Sequence, residues 1–216
     1  MTATLSRPKP PFTTERFYLE HVNQHRGGMA MLMRHVNRYK WAASHLTNAD
    51  VVLDAGCGSG YGDHILLNAA KAVVGVDQSS EAIEYARWKA AKLHQNRVRF
   101  EQQPLQSLSL ESLGLAHPVD GVVCIEVIEH LKTTDQDAFM ESLKKILRPE
   151  GLLLITTPRK NETTGALKTE FHEDEFTEES FLIFLGRFFL NVHFDVPMDF
   201  KIPPDFMLAV CSGVMA

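Results

Sequence analysis

Residues Val51–Gly62 read VVLDAGCGSGYG, and the fold of the chain turns on this stretch. Asp54, Gly56, Gly58 and Gly60 follow directly on a short apolar run and precede a segment carrying Ile65, Leu66 and Ala69 on one helical face. That order is strand, turn, helix. Glycine lacks a Cβ, so such a turn can bend sharply and its backbone can come close to a bound ligand. The spacing is G-x-G-x-G, and the third glycine of a G-x-G-x-x-G fingerprint would here be Tyr61, which argues against a pyrophosphate cradle. A second acid, Asp77, closes the next apolar run about 20 residues on, where a carboxylate can accept hydrogen bonds from both hydroxyls of a ribose. A glycine-rich turn alone is also a plain tight connection; paired with Asp77 it points to a nucleoside site.

Working outward, apolar runs alternate with segments of helical period, the signature of an α/β protein with a mainly parallel sheet. Strands are predicted at Val51–Asp54, Ala72–Asp77, Val98–Glu101, Gly121–Ile125, Leu152–Thr156, Asn191–Val196 and Phe206–Cys211. Helical stripes fall at Ile83, Ala86 and Ala90, at Phe139, Leu143, Ile146 and Leu147, and at Phe181, Leu182 and Leu185. Pro149 and Gly151 should end the second of these helices, and Thr177 reads as the N-cap of the third. Only Pro197–Asp205 separates the last two strands, too little for a crossover helix, so they should pair antiparallel. Before the sheet, residues 1–11 with Pro8, Pro10 and Pro11 read as a flexible tail. Residues 12–50 read as a helical extension, residues 51–216 as the core, and Arg159–Glu170 as a polar loop.

The 216 residues suit one hydrophobic core, and the 44% hydrophobic and 23% charged contents are ordinary for a globular domain. No run approaches the ~18 apolar residues of a membrane span, and no signal-peptide pattern is present, so a cytoplasmic protein without membrane contact is expected. Cys57, Cys124 and Cys211 are odd in number and lie far apart without C-x-x-C spacing, which argues against both a disulfide framework and a zinc site and leaves free thiols as the expectation. The net charge of -5 and the acidic run from Glu170 to Glu179 disfavour nucleic acid and favour a small or neutral substrate.

On these residues the chain resembles the class I S-adenosylmethionine (SAM)-dependent methyltransferases. VLDAGCGSG resembles their first motif, VVGVDQS the second, DGVVCIEVIEHL the fourth, and LRPEGLLLITTP the segment of the fifth strand. The resemblance implies a Rossmann-like, seven-stranded, mainly parallel sheet with an antiparallel last strand and helices on both faces. It implies SAM as the cofactor, with Asp54, Gly56, Cys57, Gly58 and Gly60 along its methionine and ribose portions and Asp77 on the ribose. The family often carries an acid after the third strand for the adenine amino group, and Pro104 stands there instead. Gln102 or Gln103 could supply a side-chain carbonyl and Leu105 a backbone N–H in its place, with Gln78 as a further contact.

Glu126, Glu129 and His130 follow the fourth strand, at the sheet edge where ligands bind in open α/β folds. Were the segment helical, the i, i+3, i+4 spacing would turn all three to one site. Methyl transfer from a sulfonium mainly requires alignment of the acceptor and removal of its proton. An unperturbed imidazole titrates near ~6.5, so His130 is the expected base, with Glu129 fixing its tautomer and Glu126 lining the methionine end of SAM. E-x-x-E-H also resembles the metal-binding motif of RNA 3'-terminal 2'-O-methyltransferases and a segment of ubiquinone-pathway O-methyltransferases. In that alternative Glu126, Glu129, His130 and His172 would hold a divalent metal, although no metal is the primary expectation.

His172 lies in FHEDEFTEESF, which resembles a segment of small-molecule and sugar methyltransferases and would border the acceptor pocket. Glu15, Arg16 and Phe17, with His35, Arg38 and Tyr39, resemble elements of bacterial methyltransferases linked to glycans. A lid would then bring Arg16 or Arg38 to the SAM carboxylate and Tyr39 alongside, with Gly27 and Gly28 as its hinge. The expected activity is methylation of a hydroxyl, or an amine, on a small metabolite or sugar. The RNA-directed reading and a non-catalytic SAM-binding subunit are the alternatives.

Overall fold

A computed structural model describes residues 28–160, 171–196, 198–200 and 202–215, together with Pro8. Seven strands, β1 (Ala49–Ala55), β2 (Ala70–Asp77), β3 (Val98–Gln102), β4 (Val119–Ile125), β5 (Leu147–Pro158), β6 (Phe189–Phe194) and β7 (Phe206–Val214), form one sheet in the order β3-β2-β1-β4-β5-β7-β6. The pairs from β3 through β5 are all parallel, whereas β7 runs antiparallel to both β5 and β6. The short return between β6 and β7 makes them a hairpin, as their spacing predicts.

Adjacent residues of a strand face opposite sides, and that alternation divides the core. Leu53, Val122 and Ile155 pack with Phe139 and Leu143 of α4 (Thr133–Ile146) and Phe181 of α5 (Glu178–Leu185). Val52, Val73 and Val123 pack on the other face with Trp41 of α1 (Gly28–His45) and Ile83 of α3 (Ser80–Lys92). Being covered on both faces, the central strands are apolar nearly throughout, as parallel strands require. Ser79 caps α3 by accepting from the Ala82 N–H at 3.2 Å, and Thr177 and Ser180 form a reciprocal capping box on α5.

Several expected boundaries move. The helix after the glycine loop is a single turn, α2 (Asp63–Leu66), and Ala69 lies beyond it. Leu147 opens β5 rather than closing α4, because the backbone turns extended there (φ -87°, ψ 133°) and pairs with Val119. On α5 the buried stripe is Phe181, Phe184 and Leu185 at i, i+3 and i+4, which leaves Leu182 45% exposed. The described part of the extension is α1, and residues 49–50 already belong to β1. Glu15, Arg16, Phe17, Gly27, most of the proline tail and residues 161–170 of the polar loop lie outside the described residues. Among the described residues, no helix is long and apolar enough to cross a membrane.

The strand order reverses between β1 and β4. That switch point opens a crevice at the carboxyl ends of the strands, where the Asp54–Gly62 loop, Asp77 and Glu126 all emerge.

Candidate active site

The loop leaving β1 holds Gly56 (φ +80°), Gly58 (φ +54°) and Gly60 (φ +74°) in the left-handed region that disfavours a side chain. The three serve different ends. A Cβ at Gly56 would lie 2.4 Å from Val127 Cγ2, and one at Gly60 would lie 2.7 Å from Phe100 Cζ, so these two let the loop pack down. A Cβ at Gly58 would meet nothing within 4 Å: this glycine faces open space. The Gly56 and Cys57 amides both donate to the Val76 carbonyl, at 2.8 and 2.9 Å. The Gly58 amide donates to Asp77 Oδ2 at 3.0 Å, and Asp77 Oδ1 accepts from the Ser79 amide at 2.8 Å. Asp77 thereby joins the two motifs the sequence marked.

A cleft open to solvent runs along this loop. Among expected cofactor contacts, Gly56, Cys57, Gly58, Asp77 and Gln78 line it, as do Tyr39, Leu105 and Glu126. His130 borders the same cleft. Gln103 does not, because its amide turns to the Ser112 carbonyl (3.5 Å) while the 3-10 turn Leu105–Ser107 brings Gln106 to the cleft instead. Arg38, Asp54 and Gly60 lie behind its wall. Ser59 and Tyr61 line it without having been expected as cofactor contacts, and so does His35, which the sequence marked only as part of the N-terminal motif. Burial, then the Arg38 charge, lowers the His35 pKa to about 3, so this imidazole is neutral.

Behind the wall, α1 contributes a buried polar layer. The Tyr39 hydroxyl donates to Asp54 Oδ1 at 3.2 Å, and the Tyr39 ring sits where a Cβ on Gly62 would be. The Arg38 guanidinium, 1% exposed, stacks 4.3 Å above the Phe206 ring and has Nη2 3.8 Å from Glu126 Oε2. Arg38 Nε and Nη1 are buried without a hydrogen-bond acceptor among the described residues, an arrangement suited to an anionic ligand group. Trp41 Nε1 donates to Asp195 Oδ2 at 2.8 Å, which ties α1 to the chain after β6. Burial, followed by the charges of Asp63, Asp54 and Asp77, pushes the Cys57 thiol well up, so it stays protonated.

The segment after β4 departs from the expected helix. Glu126 adopts a left-handed backbone (φ +55°), and only Ile128–His130 makes a 3-10 turn. Glu126 therefore points to the Thr156 hydroxyl, which donates to Oε1 at 2.9 Å, and stands apart from the group formed by Glu129, His130 and His172. One donor atom from each of those three lies within 4.8 Å of the others. Glu129 is 1% exposed and accepts from the Thr157 hydroxyl at 3.1 Å; burial, then the Glu126 charge, pushes its carboxyl well up. His130 Nδ1 is 2.9 Å from the Phe171 carbonyl, which can only accept, so Nδ1 carries the proton and Nε2 the lone pair of the neutral ring. The His172 ring meets the His130 ring edge-on at 4.9 Å, and its Nδ1 lies 2.6 Å from Glu175 Oε1. Glu175 is the orienting group the sequence reading missed.

Fold and cleft together define a class: a Rossmann-like nucleoside-binding sheet closed by a reversed hairpin, the architecture of the class I SAM-dependent methyltransferases. A family profile described as Methyltransferase domain matches residues 46–183, and the chain belongs to that family. A Mycobacterium tuberculosis protein named probable S-adenosylmethionine-dependent methyltransferase is 34% identical over 127 residues, 59% of this chain and 42% of that one. The ubiquinone biosynthesis O-methyltransferase of Haemophilus ducreyi is 31% identical over 107 residues, 49% of this chain and 44% of that protein. The chain thus matches less than half the length of these relatives. Among solved structures, the methyltransferase domain of bacterial CtHen1-C is 25% identical with a TM-score of 0.65, over 84% of this chain and all of that one.

Proposed function

We propose that the chain is a SAM-dependent methyltransferase acting on a hydroxyl, or less readily an amine, of a small metabolite or sugar. The observation that carries this reading is that a single cleft holds Gly58, facing open space, and Asp77 at one part and His130 at another. Bound SAM supplies a methyl group on a sulfonium. Gly58 would let the loop backbone approach the nucleoside, and the Asp77 carboxylate would accept from the ribose hydroxyls. Arg38, held behind Glu126, would answer the carboxylate end, while Gln78, Gln106 and Leu105 would border the adenine. His130 Nε2 would take the proton of the acceptor hydroxyl as the oxygen attacks, its ring fixed by the Phe171 carbonyl. The net charge of -5 supports an acceptor other than nucleic acid.

The donor cluster favours a second reading, in which Glu129, His130 and His172 hold a divalent cation such as Mg, Mn or Zn. Bound there, the cation would supply Lewis acidity to the acceptor oxygen, and Glu175 would orient His172 from behind. Labelled SAM incubated with metabolite extract, with mass spectrometry of the labelled product, tests the reading directly. A methylated small molecule is expected, and transfer to no acceptor despite SAM binding would refute the enzymatic assignment. Repeating the assay with a chelator separates the readings: unchanged turnover favours His130 as base, and loss restored by added metal favours the cation.

A further inference from the structure

Asp54 and Asp63 are both 0% exposed, and their side chains meet beneath the glycine loop. Register explains the meeting. Asp54 pairs with Gly75 across the β1–β2 ladder, and a Cβ at Gly75 would lie 2.7 Å from Asp63 Oδ1, so the missing side chain of Gly75 leaves the slot that the Asp63 carboxyl fills. Asp54 Oδ2 and both Asp63 oxygens are buried with no hydrogen-bond donor from the other described groups. Tyr39 from α1 reaches only Asp54 Oδ1. The remaining titratable neighbours are Asp77 from β2 and Cys57 and Tyr61 from the loop, with the Arg38 charge beyond Tyr61. Among the described residues, Arg38 acts on Tyr61 and Lys89 of α3 acts on His64 beside Asp63, and neither cation acts on the carboxyl pair itself. Two adjoining carboxyls in a dry site do not both ionise near neutrality without a cation beside them.

We propose that Asp54 and Asp63 share a single proton, which makes Asp63 a positioning residue for the cofactor loop, and that binding of a cationic nucleoside cofactor releases this proton. The second half rests on the SAM reading above. Burial raises Asp54 to about 7, its contacts with Tyr39 and Asp63 opposing that rise, and burial with the Asp54 charge raises Asp63 further, so Asp63 holds the proton near neutrality. An ammonium or sulfonium arriving at the loop favours the doubly ionised pair. The balance is one bound cation in, one proton out to solvent.

The test compares wild type with Asp63→Asn, whose amide can donate to Asp54 at every pH but has no proton to release. SAM affinity, measured by calorimetry and taken as the ratio of wild type to variant so that titration of the cofactor's own amine cancels, should rise about tenfold from pH 7 to pH 9, where Asp54 is ionised and only the Asp63 proton is left to release. Asp63→Ala, which removes the donor, should bind more weakly than Asp63→Asn. If Asp63→Asn does not fold, Asp63→Ser, which can also donate to Asp54 and has no proton to release, replaces it and should likewise bind without the pH slope. Equal slopes in wild type and variant overturn the proposal. The shared proton has its own readout without cofactor: infrared difference spectra at pH 8, where Asp54 is ionised, should contain a protonated-carboxyl band in wild type that Asp63→Asn lacks, and absence of that difference overturns it. Should SAM fail to bind at all, the cofactor assignment falls while the infrared result still decides the proton.

Discussion

Gly58→Ala and Gly60→Ala separate ligand binding from folding on one loop. Both positions are left-handed, so alanine at either costs about 1 to 2 kcal/mol of stability through its backbone alone. At Gly58 the new methyl meets nothing within 4 Å and adds nothing further. At Gly60 it would fall 2.7 Å from Phe100 and 2.9 Å from Ala86, and such overpacking adds about 1 to 3 kcal/mol. For a domain of this length each kcal/mol lowers Tm by about 2 to 4 °C, so Gly60→Ala should melt clearly below Gly58→Ala. Binding should rank the other way relative to stability. The Gly58 methyl projects into the cleft space assigned to the nucleoside and should weaken SAM binding at least about tenfold, roughly 1.4 kcal/mol, in a nearly intact fold. Thermal melts and calorimetric titration of both variants measure this. Wild-type affinity in Gly58→Ala, or equal Tm losses in the two, would refute the reasoning.

Three further outcomes follow from the same contacts. His130→Ala should lower kcat by at least about a hundredfold while SAM affinity stays within about twofold, and unaltered kinetics across a pH series would remove His130 as the base. Asp195→Ala strands the Trp41 indole N–H inside the protein and should cost about 1 to 3 kcal/mol, read from denaturant unfolding. His35, lowered to about 3 from an unfolded value near ~6.5, contributes stability that is complete above ~6.5 and falls away as pH drops towards 3. The buried carboxyls Asp54, Asp63 and Glu129, raised instead, contribute most below ~4 and lose that contribution as pH rises. The difference in Tm between wild type and His35→Gln should therefore shrink as pH falls from 7 to 4, and a constant difference would contradict it.

The sheet was legible because its signals are local: apolar runs, the glycine spacing, and Asp77 at a strand end are properties of neighbours in sequence. The same holds for the Thr177 cap and the terminal hairpin. What stayed hidden depends on contacts across the fold. Asp63 reads as an ordinary first-turn acid until Gly75 is known to vacate the space beside Asp54. Glu175 becomes an orienting group only when Phe171 and His172 reach the His130 turn. Helical spacing predicted that Glu126 would join Glu129 and His130, and one left-handed residue sent it to Thr156 and Arg38 instead. Gln103 lost its place to Gln106 for a similar reason, since a single 3-10 turn decides which amide faces the cleft. Backbone conformations of single residues leave little trace in composition or periodicity.

Asp77, as the acceptor for a bound ribose, is the contact on which the SAM site depends. Calorimetric titration of SAM into wild type and Asp77→Ala measures it, with circular dichroism to show that both proteins are folded. Saturable one-site binding by wild type, weakened by at least about tenfold in Asp77→Ala, is the predicted result. Equal affinity in the two folded proteins, or no binding by wild type, would contradict the central claim.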